Sequence, residues 1–108
     1  MGYFLHHVIA VVGDYQTLVD ARMFAEGTGA QLTAISQTGM NNICSFFVVP
    51  DGSKEGREAS NRGDQRRAKI IGYLREQGLM FAEIAMPEDG EARIESAWRR
   101  DPPELENF

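Results

Sequence analysis

Cysteine is nearly absent from this chain, long apolar runs are absent altogether, and no group of residues spells a catalytic or metal-binding pattern. The single thiol, Cys44, cannot close an internal disulfide, so the fold does not depend on an oxidising compartment. Cys44 lies inside an apolar stretch and reads as a small buried hydrophobe. A catalytic cysteine would want a basic partner, and none is specified. No apolar run reaches the ~18–20 residues of a membrane span. The N-terminus has no basic region of the signal-peptide kind, and charged residues follow soon after. These absences point to a cytoplasmic protein with no membrane partner. No cofactor, metal or catalytic residue is expected.

What is present is ordinary in bulk and uneven in charge. The 108 residues fit one core, and the 43% hydrophobic and 25% charged content is that of a globular protein. The net charge is -5. Residues 54–77 hold seven basic side chains against four acidic ones, whereas residues 83–108 hold three against eight. General nucleic-acid binding, which rests on phosphate neutralisation, is disfavoured by the overall acidity.

The densest apolar run is Ile43–Val49, bounded by turn residues and by Pro50-Asp51-Gly52. It reads as a strand buried on both faces. Residues 3–12 predict another strand with two apolar faces. A helix should follow, capped by Asp14 or Thr17 and ended by Gly27, with Leu18, Ala21 and Ala25 on one side. Residues 30–36 alternate like a half-buried strand. Residues 54–61 form a long connection, or else an early helical turn. A second helix is expected over about 62–77, capped by Ser60 or Asn61 and ended by Gly78, with Ala68, Ile71 and Leu74 as its core stripe. Residues 79–86 and 91–98 form a hairpin across Pro87-Glu88-Asp89-Gly90.

The order β-α-β-β-α-β predicts an α+β fold: a ferredoxin-like split β-α-β with two helices on one face of an antiparallel sheet. A further C-terminal strand would extend the edge. Residues 1–98 make one domain, and the acidic tail 99–108, with Pro102-Pro103, is expected to be flexible.

Several groups are candidates for function. His6 and His7 are strand neighbours pointing to opposite faces, which disfavours joint metal chelation. With Tyr3 and Glu83, one of them could contact a ligand on the open face of the sheet. Phe46 and Phe47 occupy positions where RNA-binding domains carry stacking aromatics, but the accompanying basic-glycine pair is missing, so core packing explains them better. Arg62, Arg66 and Lys69 share a helical face with Tyr73, with Arg67 near its border; this face suits phosphates or an acidic partner. Glu91, Arg93 and Glu95 share one face of the hairpin, and Trp98 ends its edge strand in an exposed position. That edge offers a contact for a protein partner or for a second copy of the chain.

The stretch Asp51-Gly52-Ser53-Lys54-Glu55-Gly56, continued by Ser60, Gly63-Asp64 and Ala68–Arg75, resembles segments of small uncharacterised bacterial and phage-encoded proteins. The resemblance implies a short accessory protein of a phage or mobile element that binds, blocks or adapts a host component; it implies no catalytic residue. The leading expectation is therefore a binding protein acting through protein–protein contacts, with a protein partner favoured over nucleic acid. The alternatives are a small-molecule-binding or enzymatic ferredoxin-like dimer using the open sheet face, and nucleic-acid binding through the basic helix.

Overall fold

The computed structural model describes residues 5–37, 42–50, 58–88 and 90–98. Seven elements follow in order: β1 (Leu5–Gly13), α1 (Tyr15–Gly27), β2 (Ser36–Gln37), β3 (Cys44–Val48), α2 (Glu58–Glu76), β4 (Met80–Pro87) and β5 (Arg93–Trp98). The strands form one antiparallel sheet in the order β2-β3-β1-β4-β5, so the protein is α+β. Tyr3, residues 51–57 and the tail 99–108 lie outside the described residues, and with them the 51–56 part of the segment that carries the resemblance.

The central strand is β1, with β3 and β4 on either side. Its odd residues Ile9 and Val11 are fully buried and meet Val48 and Phe46 in register on one side, Glu83 and Phe81 on the other. Both helices close over this face. Leu18, Ala21 and Ala25 of α1 join Ile70 and Leu74 of α2 in one core with these strand residues, and Phe24 stacks on Tyr73 with ring centroids 4.4 Å apart. In β3, Cys44, Phe46 and Val48 are buried but Phe47 is exposed. The expectation that this strand is buried on both faces is therefore corrected, because the helices cover one side only.

α1 begins where its side chains predict. Asp14 is the cap, in extended backbone geometry, and its carboxylate accepts hydrogen bonds from the Thr17 N–H at 3.1 Å and the Thr17 hydroxyl at 2.7 Å. These bonds, the hydroxyl one foremost, hold the Asp14 pKa below its usual 3.8. The helix does not stop at a left-handed Gly27. Thr28 caps it, with its hydroxyl donating to the Ala25 carbonyl at 2.6 Å, and the left-handed residue is Gly29, at φ +90°.

The strand expected over residues 30–36 shrinks to Ser36–Gln37 and an isolated bridge between Leu32 and Val48. Thr33 explains the break. Its carbonyl accepts from Arg22 Nε at 2.8 Å, while its hydroxyl accepts the Phe47 N–H at 2.9 Å. The hydroxyl stands in for a carbonyl that a regular ladder would use.

α2 starts at Glu58, four residues before the predicted start, so the early helical turn is present over 58–61 and Ser60 and Asn61 lie inside the helix rather than capping it. Once nucleated, a helix gains one backbone bond for each residue added. Its inward stripe is Gly63, Ile70 and Leu74, with the mostly buried Arg67 side chain in line; Ile71 is half-buried and Ala68 is exposed, which corrects the predicted stripe. The end is as predicted. The N–H of Leu79 bonds the Leu74 carbonyl and that of Gly78 the Arg75 carbonyl, with Gly78 left-handed at φ +68°.

Two outcomes follow from the helix ends. Gly78→Ala should lower stability by about 1 kcal/mol in urea unfolding, because a Cβ there meets only ordinary contact with Trp98 at 3.6 Å and the loss comes from the left-handed backbone. Asp14→Ala should lower the melting temperature at neutral pH. The gap from the wild type should persist above the ordinary carboxyl range and close as pH falls through the lowered Asp14 value, since that pKa is depressed in the folded state.

Candidate functional site

On β1 and β4, the helix-covered layer of the sheet is apolar except at two places. Odd positions of β1 and β4 face α2; among them, position 7 is His and position 83 is Glu. His7 is opposite Ala85 and Glu83 is opposite Ile9, so the two polar side chains are diagonal neighbours across the β1–β4 ladder. His7 Nδ1 stands 3.5 Å from Glu83 Oε2. The third member, Arg67, comes down from the inward stripe of α2, and its Nε also lies 3.5 Å from Glu83 Oε2. All three side chains are largely buried, at 12% exposure for His7, 13% for Glu83 and 11% for Arg67.

Neighbouring groups hold this cluster in place. The Ser96 hydroxyl donates to Glu83 Oε1 at 3.1 Å, and Arg67 also pairs with Asp64 one turn earlier on α2. The ladder between β4 and β5 shifts register between Glu83 and Ile84, so Ser96 pairs with Glu83, Ile94 with Ile84, and Glu95 is the extra residue. A bulge of this kind re-aims a side chain. Glu95 thereby lines the same cleft as His7 and Glu83 while pairing with Arg93 at 3.0 Å.

The cleft measures about 450 Å3 and is walled by His7, Asp64, Arg67, Glu83 and Glu95, with Ala68 and Ile71 as its apolar part. His7 Nδ1 is buried and has no hydrogen-bond partner among the described residues. Its distance to Glu83 is compatible with an ion pair if the imidazole is protonated, but it is not a hydrogen bond. Burying polar groups without partners costs free energy, so an unpaired imidazole nitrogen in a cleft wall is a position suited to contact with something else. Among the described residues no three His, Cys, Asp or Glu side chains are grouped to hold a metal ion, and no helix is long and apolar enough to cross a membrane.

The predicted site residues are thus redistributed. His7 and Glu83 do come together, but on the helix-covered face rather than the open one, because both share register parity with the core residues Ile9 and Phe81. His6 is on the uncovered face, opposite Met86, and Tyr3 lies outside the described residues. The basic face of α2 is divided: Arg67 turns in to Glu83, Tyr73 stacks on Phe24, and Arg66 lies beside Gly29, while Arg62 and Lys69 are exposed. Glu91 and Arg93 are exposed on the hairpin. Trp98 is half-buried, in register with Phe81 and packed on the core, which corrects its placement as an exposed edge residue. Arg67 had no sequence role beyond the basic stripe. Its spacing of three and seven from Ile70 and Leu74 was the signal that could have turned it inward.

Compared with family models, curated proteins and solved structures, the chain matches none, so the cleft is interpreted from its own geometry.

Glu83→Gln and Arg67→Gln should each lower the free energy of urea unfolding by roughly 1–3 kcal/mol. The double variant should lose less than the sum of the two. Strictly additive losses would show that the two side chains do not act together.

Proposed function

We propose that this chain binds a small molecule in the cleft between α2 and strands β1, β4 and β5, with His7 and Glu83 as its polar contacts. One observation carries the reading: a buried imidazole nitrogen without a hydrogen-bond partner among the described residues, 3.5 Å from a carboxylate, in the wall of a cleft of about 450 Å3. That volume falls in the usual range of small-molecule sites, ~300–1,000 Å3. Asp64, Glu83 and Glu95 outnumber Arg67, and Ala68 and Ile71 add an apolar wall. A ligand with a cationic or donor-rich head and a small apolar body fits this lining, an amine being the simplest. The His7–Glu83 pair can exchange a proton with such a head. Binding is the function proposed; no nucleophile is assigned.

The strand order β2-β3-β1-β4, with a helix after β1 and another after β3, supports a ferredoxin-like assignment in which β5 is the added strand. The lone unpaired cysteine supports a cytoplasmic setting. A second reading, an accessory protein acting by protein–protein contact through the hairpin, draws on the edge strand β5, where Arg93 and Ile94 are exposed. Nucleic-acid binding through α2 loses support, since Arg67 and Tyr73 are engaged within the fold.

The test is an amide chemical-shift screen of labelled protein against small amines and their matched carboxylic acids. Amines should shift resonances of β1, β4 and the first half of α2, and His7→Gln and Glu83→Gln should each weaken that binding at least tenfold while the fold is retained. Amines that shift nothing near the cleft, or bind the variants equally well, would refute the reading.

A further inference from the structure

Opposite the helices, the sheet presents a second face built from the even positions of β1 and their register partners. Val8, Ala10 and Val12 lie at its centre with His6 toward one end, Ser45 and Phe47 on β3, Met80, Ala82, Ile84 and Met86 on β4, and Ile94 and Ala97 on β5. None of these residues belongs to the buried core under the helices. Half of the exposed large apolar side chains among those residues stand here: Phe47 at 42% exposure, Met80, Met86 and Ile94 at 68%. At the registered positions there is no Asp, Glu, Lys or Arg, although one residue in four of the chain is charged. An apolar patch of this extent marks an interaction surface.

We infer that two copies of the chain pack face to face through this surface about a two-fold axis. The occupant follows from charge, size and shape. Molecules that each carry a net charge of -5 repel one another, and this face, without Asp, Glu, Lys or Arg at its registered positions, is where they can meet without placing acidic groups in contact. Apart from the His6 imidazole, a partner of different charge would find no ionisable group at these positions to select it. Five strands about 4.8 Å apart and about 20 Å long give roughly 500 Å2 in plan. Standing side chains raise the accessible area toward the ~800 Å2 per subunit of a stable interface.

The relief is self-complementary. One cross-strand row runs Phe47, Ala10, Ala82, Ala97, a large side chain at one end of a trough of three alanines. A two-fold axis near Ala10 and Ala82 seats the Phe47 of each copy in the alanine trough of the other, as an isologous contact requires. Packing sheet on sheet in this way leaves the α2 cleft, on the opposite face, open in both copies. The inference therefore stands independently of the ligand reading.

Sedimentation equilibrium of the full chain over a micromolar to submillimolar series tests it. The wild type should tend to twice its 12.1 kDa mass, with an association that salt leaves unchanged or tightens. Phe47→Asp and Ala82→Asp should each weaken dimerisation at least tenfold, with Phe47→Asp keeping the wild-type circular dichroism because that side chain is exposed. A wild type that stays monomeric throughout overturns the proposal. So does a dimer that survives both substitutions, which would point to pairing along the β5 edge instead.

Discussion

Everything in this molecule depends on the alternation of β1 between two environments. It is the middle strand of five, hydrogen-bonded on both sides, and successive side chains point to opposite faces. Ile9 and Val11 lie under the helices and form the core with Phe46, Val48 and Phe81. Val8, Ala10 and Val12 belong to the opposite face, outside that core. One strand thus sets the core, the position of His7 and the apolar opposite face. A slip of one residue in its register would exchange all three.

The cluster of His7, Glu83 and Arg67 interrupts an otherwise apolar layer, and its members hold one another there. A carboxylate under a helix needs partners. Glu83 has the guanidinium of Arg67 and the hydroxyl of Ser96, and the latter is in reach because the bulge in the β4–β5 ladder brings Ser96 into register with Glu83. Ion pairs of this kind are seldom the most stabilising way to fill a core, since desolvation offsets much of the attraction. Here the group borders a cleft, and the His7 imidazole nitrogen has no hydrogen-bond partner among the described residues.

Local chemistry could be read well where one residue does one job. Asp14 and Thr17 announced the start of α1, and Gly78 the end of α2, because capping is decided within a few residues. Where a competing partner comes from far along the chain, sequence was a poorer guide. Thr33 looks like a strand residue until Arg22 takes its carbonyl. Glu83 is expected on the open face beside one of His6 and His7, yet it lies with His7 under the helices while His6 takes the open face, because parity says which residues share a side of a strand but not which side the helices will cover. Arg67 was counted with its basic neighbours, although its helical phase matches Ile70 and Leu74.

By itself, then, the sequence determined the kinds and order of the elements, the Asp14 start of α1, the Gly78 end of α2 and the apolar strands that contribute to the core, since each of these is dictated by short-range periodicity and backbone preference. Tertiary structure alone decided which face the helices cover, that β1 is the middle strand, and that His7, Arg67 and Glu83 meet across three elements. The reason is physical: a contact between residues 7, 67 and 83 depends on long-range register and on the seating of α2, and neither is encoded in any local stretch of the chain.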